Sequence, residues 1–261
     1  MKKMLLLTLV LGFGGLAQAD DAAKVLECMR ANVPSSLRVQ DVELTSTDRA
    51  EASRTLRGKV YALREGAASD NRLRVMLRVK APENLAGSAF LMREATNVSD
   101  QGMYVYLPSV RRVRRITGEF ADGALLGSDF SYQDFRQLQN GLEDLQSTLE
   151  APEVIDSRPV YVLSSLPQRQ PSAYGRIRTW VDQQTCVPLK VEFYQNKALL
   201  KQLTVPVAAL KQSGAHWYPA EATIVDVRQG TRSTLRVLGV ESGGKARKGT
   251  FEPSLFYRIN L

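Results

Sequence analysis

Residues 72–80 read Arg-Leu-Arg-Val-Met-Leu-Arg-Val-Lys, and apolar side chains alternate there with charged ones. Four apolar residues share one side of an extended chain, namely Leu73, Val75, Leu77 and Val79. The basic residues share the other side with Met76. This period of two is typical of a β-strand that has one face in a core and one face in water. The stretch therefore predicts an antiparallel sheet.

The same period of two recurs before and after this strand, with turn residues between the repeats. It predicts strands at Val39–Thr45, Arg54–Leu63, Arg72–Lys80, Gly87–Ala95, Met103–Leu107, Val110–Ile116, Leu145–Ala151, Val160–Ser165, Arg176–Val181, Val187–Tyr194, Leu199–Val207, Trp217–Val227 and Ser233–Val240. Short helices are predicted at Asp20–Val33 and Pro253–Tyr257. The pattern indicates a mainly β (α+β) fold with one meandering sheet, which bends strongly because strand twist accumulates.

The composition is that of an ordinary globular chain. Among 261 residues, 44% are hydrophobic and 24% are charged, which excludes a disordered or fibrous protein. One histidine and two cysteines cannot make the usual four-ligand zinc site. The sequence has no nucleophile elbow, phosphate loop or metal-ligand spacing. What remains is an enzyme that uses paired carboxylates, or a protein that binds without catalysing a reaction. No pair of carboxylates stands out in the sequence, so we expect the second, with neither a metal nor a cofactor.

Residues 1–19 have the pattern of a secretory signal peptide. Lys2 and Lys3 precede an apolar run, and Ala17-Gln18-Ala19 is a cleavage site of small residues. The apolar run is shorter than a membrane span, which disfavours the alternative of an uncleaved anchor. Glu27, just before Cys28, is unlike the small residue that lipidation requires. We expect cleavage after Ala19 and a soluble single domain at residues 20–261 in the periplasm.

The mature chain is basic. The full sequence has a formal net charge of +8, and removal of Lys2 and Lys3 leaves +6. A positive charge suits an anionic partner. For an exported protein the candidates are a membrane surface, lipid head groups or an acidic protein, and nucleic acid is not expected.

One segment, residues 117–140, interrupts the strands and is the candidate lid. Its first half is a glycine-rich loop, and its second half predicts a short helix at Tyr132–Leu138. Ser131 and Asp134 have the spacing of a capping box at the start of that helix. The segment also carries apolar residues that a loop in water should not expose, namely Phe120, Leu125, Leu126, Phe130, Tyr132 and Phe135.

Two interpretations of this segment stay open. It is either a core helix, or a mobile lid that covers an apolar cavity on the concave face of the sheet. In the second case Phe130 and Phe135 would point into the cavity, with Tyr104 and Tyr106 as possible wall residues. Replacing both phenylalanines by alanine would then weaken the binding of an acyl chain.

Residues 110–116 are the most basic part of the chain, with Arg111, Arg112, Arg114 and Arg115 set among apolar residues. One interpretation is a strand edge whose charges prevent edge-to-edge pairing. The other is contact with an anionic partner, because guanidinium groups match phosphate and carboxylate oxygens. The two interpretations are compatible.

The two cysteines, Cys28 and Cys186, are both retained after cleavage at Ala19. In an oxidising compartment a disulfide is favoured over two free thiols. The bond would join the N-terminal helix to a hairpin of the sheet, although spacing alone does not show that the two residues meet.

Several short blocks follow one another along the chain. They are Tyr104-Val-Tyr-Leu-Pro108, Arg111-Arg-Val-Arg-Arg115-Ile116, Gly127-Ser-Asp-Phe130 with Tyr132 and Phe135, Trp180-Val-Asp182 with Pro188-Leu-Lys190, Trp217-Tyr-Pro219, and Phe251-Glu-Pro253 with Tyr257-Arg258. Together they resemble the LolA-like family of outer membrane lipoprotein-sorting proteins, over nearly the whole mature chain. The cysteine pair departs from the pattern of the family.

The resemblance implies an incomplete, strongly bent β-barrel with helices over its concave side. It also implies a periplasmic carrier or chaperone that holds lipid or lipoprotein acyl chains in an apolar cavity during transport between membranes. An RND-type inner-membrane exporter is an implied partner, together with transient contact to a membrane surface. The alternative is a non-enzymatic accessory or stress-sensing protein of such an exporter or envelope pathway, which binds a protein or peptide.

Overall fold

The structure is a computed structural model, and it describes residues 14–66, 72–94, 102–140, 145–168 and 172–259, with side chains from residue 21 onward. The helices are α1 (Gly14–Ala31) and α2 (Tyr132–Leu138). The strands are β1 (Leu37–Thr47), β2 (Ser53–Glu65), β3 (Arg72–Ala81), β4 (Ala89–Arg93), β5 (Gly102–Leu107), β6 (Arg112–Ile116), β7 (Leu145–Ile155), β8 (Arg158–Pro167), β9 (Arg176–Asp182), β10 (Pro188–Gln195), β11 (Ala198–Thr204), β12 (Leu210–Ser213), β13 (His216–Pro219), β14 (Glu221–Asp226) and β15 (Thr231–Gly244).

Thirteen of these strands form one antiparallel sheet in the order β6-β5-β4-β3-β2-β1-β15-β14-β11-β10-β9-β8-β7, and β12 pairs with β13 in a separate hairpin. The first and last strands therefore pair near the middle of the sheet, and β6 and β7 are its two edges. The sheet is strongly bent, as strand twist predicted, and it does not close into a barrel, as the family resemblance implied.

The strand predictions agree with the structure except near the C-terminus. The predicted strand Trp217–Val227 is two strands, because the chain changes partners at Ala220, whose N–H donates to the carbonyl of Ala209 at 2.8 Å. Strand β12 was not predicted, because its four residues, Leu-Lys-Gln-Ser, show no alternation. The helix predicted at Pro253–Tyr257 is instead a run of turns. Ala95, at the end of one predicted strand, lies outside the described residues.

The inner face of the sheet carries the main core. Leu73, Val75, Leu77 and Val79 of β3 all lie there, with exposures of 3% or less. Equivalent alternate positions of the other strands join them, as does the lid segment between β6 and β7. Burying each large apolar side chain contributes about 1.5–3 kcal/mol, so this face is the main source of stability.

The outer face of β1 to β5 is not left in water, which corrects the expectation for the second face of β3. Met76 is fully buried, and it packs with Tyr61, Leu91 and Phe256, which follows β15. The C-terminal segment, residues 245–259, crosses this face after β15. The sheet is therefore a middle layer in this half of the molecule.

Helix α1 packs over β7, β8 and β9 through Val25 and Met29, which cluster with Leu163 and Val181. These residues alternate with the inner-core residues of the same strands, so α1 covers the outer face, which corrects the expectation that the helices cover the concave side. The predicted disulfide between Cys28 and Cys186 is present, with 5.7 Å between the Cα atoms. The closed loop spans 158 residues, so the chain-entropy model gives a stabilisation of up to roughly 5 kcal/mol. Helix α1 begins at Gly14, ahead of the predicted cleavage site, and residues 1–13 of the predicted signal peptide lie outside the described residues.

Candidate functional site

The candidate site is the inner face of the sheet beneath residues 118–140, which we call the lid. Side chains of the lid pack directly on this face, where one void holds about 40 Å³ at the end of α2 and another holds about 10 Å³. The smaller void is entirely apolar. Its lining consists of Val42, Leu44, Leu56, Leu77 and Leu235 from the sheet, and of Leu125, Phe130 and Phe135 from the lid.

The lid loop folds back on itself before α2 begins. The Leu125 N–H donates to the carbonyl of Phe130 at 2.7 Å, and the Tyr132 N–H donates to the carbonyl of Gly123 at 3.2 Å. The predicted capping box is confirmed, since Ser131 and Asp134 bond each other's backbone N–H groups. The capping box and these two bonds satisfy backbone groups that a helix start would otherwise leave unpaired.

A polar contact, which we call the latch, ties the lid to the sheet. It consists of Asp129 of the lid with Thr231, Ser233 and Lys201 of the sheet. Ser233 donates to the Asp129 carboxylate at 2.6 Å, Thr231 donates to its other oxygen, and Lys201 Nζ donates to the Asp129 carbonyl at 2.6 Å. Hydrogen bonds to a charged group are about twice as strong as neutral ones, so the latch fastens this segment to the sheet.

A second polar contact lies one turn further along the lid. The buried Asp134 carboxylate accepts hydrogen bonds from Tyr174 Oη at 2.8 Å and from Lys201 Nζ at 3.0 Å. Burial, and after it the Asp134 charge, raises the pKa of Tyr174 well above its usual value. Tyr174 therefore stays protonated and acts as a donor to the lid throughout the physiological pH range.

The lid loop requires glycine at position 127 for two reasons. Its φ is +74°, a left-handed conformation that side chains disfavour. A Cβ atom on Gly127 would lie 2.4 Å from a guanidinium nitrogen of Arg54 on β2. The Arg54 head group therefore rests directly on the lid backbone, where a larger residue would displace it.

A polar cavity of about 580 Å³ opens beside the latch, and we call it the mouth. Its walls are the β1–β2 turn, the β14–β15 turn and the lid. Asp48 and Asp226 in the two turns accept hydrogen bonds from backbone N–H groups of their own turns. The mouth leads from solvent to the edge of the lid loop, next to the apolar face.

The structure brings part of the predicted cavity set together. Leu125, Phe130 and Phe135 are buried with exposures of 1–2%, and Leu126 and Tyr132 pack partly against the same cluster. Phe135 meets Phe90 of β4 edge-on, with 5.9 Å between ring centroids. Phe120 behaves differently, because 71% of its surface is exposed. It is not part of the inner-face cluster.

Tyr104 and Tyr106 do not line this face, which corrects the expectation that they form its wall. Strand alternation places Met103 and Val105 of β5 in the inner core, and it places the two tyrosines in the outer cluster. There Tyr106 stacks on Tyr257 of the C-terminal segment, with ring centroids 4.2 Å apart. The sequence showed that the tyrosines share a side but not which side faces inward.

The four arginines lie on and beside β6, an edge strand, as the strand-edge interpretation expected. They do not form one surface. Arg112 and Arg114 lie opposite Leu107 and Val105 on the inner side. Arg115 lies on the outer side and places its guanidinium 5.9 Å from the Tyr104 ring centroid. Arg111 lies in the preceding turn with a φ of +54°.

The residues of the latch were missed by the sequence analysis. The block Gly127-Ser-Asp-Phe130 was noted, but its partners Thr231 and Ser233 follow about one hundred residues later. No spacing rule connects segments so distant. The usable signal was the polar residue Ser233 at an inward position of an otherwise apolar alternation.

Within the described ranges, no group of three or more His, Cys, Asp or Glu side chains is arranged to hold a metal ion. Over the same residues, no helix is long and apolar enough to cross a membrane. The site consists of an apolar face with the polar latch beside it.

Comparisons with known proteins identify the fold. A family model described as "Uncharacterized protein" matches residues 72–256. A domain from Vibrio parahaemolyticus named for outer membrane lipoprotein sorting is 23% identical with a TM-score of 0.80, covering 92% of this chain and 100% of that one. A DUF1329 family protein from Desulfovibrio piger is 20% identical with a TM-score of 0.80, covering 91% and 98% of the two chains.

A LolA superfamily protein from Nitrosomonas europaea is 21% identical with a TM-score of 0.68, and the alignment covers 88% of this chain and 96% of that one. No curated protein sequence matches significantly. The resemblance drawn from the sequence blocks is thereby confirmed at the level of the fold.

Proposed function

The chain belongs to the family whose model matches residues 72–256 and has the LolA-like fold, and from this premise we propose that it is a non-enzymatic carrier of acyl chains. The ligand would be a lipid or an acylated protein. It would bind between the lid and the inner face of the sheet, and it would be carried between membranes of the cell envelope.

The observation that carries this proposal is the nature of the lid's attachment. Its apolar side chains fill most of the inner face, beside voids of about 10 and 40 Å³. They come from a short loop and a seven-residue helix, not from the sheet. The polar contacts that hold it run through the side chains of Asp122, Asp129 and Asp134 and through the carbonyl of Asn140. A segment held in this way can leave without unfolding the sheet.

The energetics favour exchange of the lid for an acyl chain. Each buried CH₂ contributes about 0.8 kcal/mol, so a chain of about sixteen carbons would gain on the order of 12 kcal/mol before costs. The lid gives up its own apolar burial when it opens. The net affinity is therefore the difference between two similar terms, which suits a carrier that must also release its cargo.

The setting of the protein is part of the same proposal. A disulfide agrees with an oxidising compartment, and LolA-like proteins are periplasmic. We propose cleavage after Ala19, and an intact mass of the exported protein that begins at Asp20 would support it. A mass that includes residues 1–19, or a lipid on the chain, would contradict it. An RND-type exporter is the proposed membrane partner.

The alternative is an accessory or sensor protein that binds a protein or peptide. The observation that favours it is the same filled inner face, because a lid that never opens leaves only the mouth and the outer surfaces for binding. The polar mouth, about 580 Å³ in volume, would then take a peptide segment. Binding of an acyl chain separates the two functions.

The test combines two measurements on the mature protein. A fluorescent fatty acid should bind saturably and be displaced by unlabelled palmitate. Hydrogen exchange should become faster in the lid, residues 118–140, when the fatty acid binds. It should stay unchanged in the C-terminal segment, which covers the outer face and serves as an internal control.

Two outcomes would contradict the carrier. One is the absence of saturable binding, and the other is binding that leaves exchange in the lid unchanged. Mass spectrometry of organic extracts from protein purified from its native periplasm gives an independent measurement. Co-purified acyl lipid supports the carrier, and its absence together with a peptide-bound mouth supports the accessory.

A further inference from the structure

The most basic stretch of the chain ends beside an exposed aromatic residue of the lid. Residues 102–121 hold four arginines and a single acidic residue, Glu119. Phe120 is 71% exposed and Val110 is 40% exposed. These two apolar residues lie at opposite ends of β6, the edge strand that carries Arg112 and Arg114.

The surface lies along the rim of the concave face. Arg112 and Arg114 are on the inner side of β6, because they lie opposite Leu107 and Val105. Phe120 belongs to the lid itself. The five residues of β6 span roughly 13 Å of extended chain, with Val110 two residues before the strand and Phe120 four residues after it. Apolar and cationic groups therefore follow one another along this edge of the sheet.

Three arginines of this surface make no side-chain contact that would stabilise the fold. Within the described part of the chain, Arg111, Arg112 and Arg114 form no ion pair or side-chain hydrogen bond, and all three are exposed. By contrast, Arg158 and Arg178 elsewhere on the sheet are engaged by carboxylates. Unengaged cations beside exposed apolar groups require a different explanation.

We propose that Val110, Arg111, Arg112, Arg114 and Phe120, together the basic rim, form a docking surface for an anionic lipid bilayer. Arginines at the head-group level attract anionic lipids, and an aromatic ring beside them enters the boundary of head groups and acyl chains. This proposal goes beyond binding of an acyl chain. It does not depend on whether a ligand binds beneath the lid.

A bilayer fits the basic rim better than strand addition by a protein. Strand β6 has only five residues, and four arginines on or beside it disfavour pairing with another strand. A flat anionic surface contacts the whole line at once, because it imposes no register. Phe120 then couples docking to the lid, since a ring inserted in the membrane pulls on the segment that covers the inner face.

The test measures binding of the mature protein to vesicles by flotation. Vesicles contain phosphatidylcholine alone or with about one-third phosphatidylglycerol. The parent protein should bind the anionic vesicles, lose binding in high salt, and not bind the neutral vesicles. The double change Arg112→Gln with Arg114→Gln should weaken binding about thirtyfold, since each basic residue near an anionic surface contributes about fivefold.

Matched controls keep the test specific. Lys197→Gln with Lys245→Gln removes the same charge from two exposed positions elsewhere, and it should weaken binding by no more than about threefold. Phe120→Trp should be quenched by brominated lipid when the protein docks. Leu166→Trp, at a 50% exposed position beside β7, should not be quenched.

Three results would overturn the proposal. The first is equal loss of binding in the arginine and lysine pairs, which would indicate net charge alone. The second is docking without quenching at position 120. The third is absence of binding to the anionic vesicles, and tight, salt-sensitive binding to an acidic protein would then identify the partner as a protein. Failure of fatty acid binding would leave this proposal standing, because the vesicle measurements use no ligand.

Discussion

Release of the latch should tighten the binding of an acyl chain. The change is Asp129→Ala, which removes the carboxylate that accepts hydrogen bonds from Thr231 and Ser233. It leaves every apolar side chain of the lid and of the inner face in place. If the lid competes with the ligand for this face, weakening the closed state raises the apparent affinity.

The magnitude follows from the two lost hydrogen bonds. Each hydrogen bond to a charged group contributes about 1.5–3 kcal/mol when buried. Asp129 is half-buried, so we take the lower value and expect about 3 kcal/mol in total. Every 1.4 kcal/mol is a factor of ten, and the apparent Kd should therefore fall by up to about a hundredfold.

The assay is a titration with a fluorescent fatty acid, together with hydrogen exchange over residues 118–140. The matched control is Asp48→Ala, which removes another carboxylate of the mouth whose hydrogen bonds stay within the β1–β2 turn. The control should leave affinity within about twofold. Faster exchange in the lid of the Asp129 variant, with affinity unchanged or reduced, would refute the competition between lid and ligand.

Three further predictions concern the core of the site, the disulfide and pH. Phe135→Ala and Phe256→Ala each remove a buried ring, so each should lower the free energy of unfolding by about 3–5 kcal/mol. Only Phe135→Ala should also tighten fatty acid binding, by at least fivefold in titrations. An equal change in fatty acid affinity for both variants would contradict binding beneath the lid. Thiol titration of unfolded, unreduced protein should find no free thiol at Cys28 or Cys186, and reduction should lower the free energy of unfolding by up to roughly 5 kcal/mol; two reactive thiols would disprove the bond. The raised pKa of Tyr174, caused by burial and by the adjacent carboxylate, means that the unfolded state loses this proton first, so stability should fall as pH rises above about 10. Tyr174→Phe should abolish that part of the pH dependence in thermal melts, and an unchanged profile would contradict it.

The prediction for Phe135 reverses the expectation drawn from the sequence. The sequence suggested that the rings of Phe130 and Phe135 would line an open cavity, so that their loss would weaken binding. In the structure the two rings occupy the inner face themselves, with exposures of 1–2%. Their truncation therefore removes a competitor for the ligand. It also costs stability whichever role they have, which is why Phe256 is needed as a control.

Much of the fold was determined by local alternation. In β3 the period of two correctly predicted that Met76 lies on the opposite face from Leu73, Val75, Leu77 and Val79. Successive side chains of a strand must point to opposite faces. The start of α2 was equally local, since the capping box joins Ser131 to a residue three positions away. The disulfide needed only two cysteines and an oxidising compartment.

The tertiary structure decided which face is which. Alternation separates Tyr104 from Val105 but does not say which of them faces inward, and the bend of the sheet settles this. The sequence did not predict that residues 245–259 cover the outer face. This segment consists mainly of turns, so its sequence has no helical or strand periodicity. The latch joins Asp129 to Ser233 across about one hundred residues. Such contacts depend on strand order, which only the folded sheet provides.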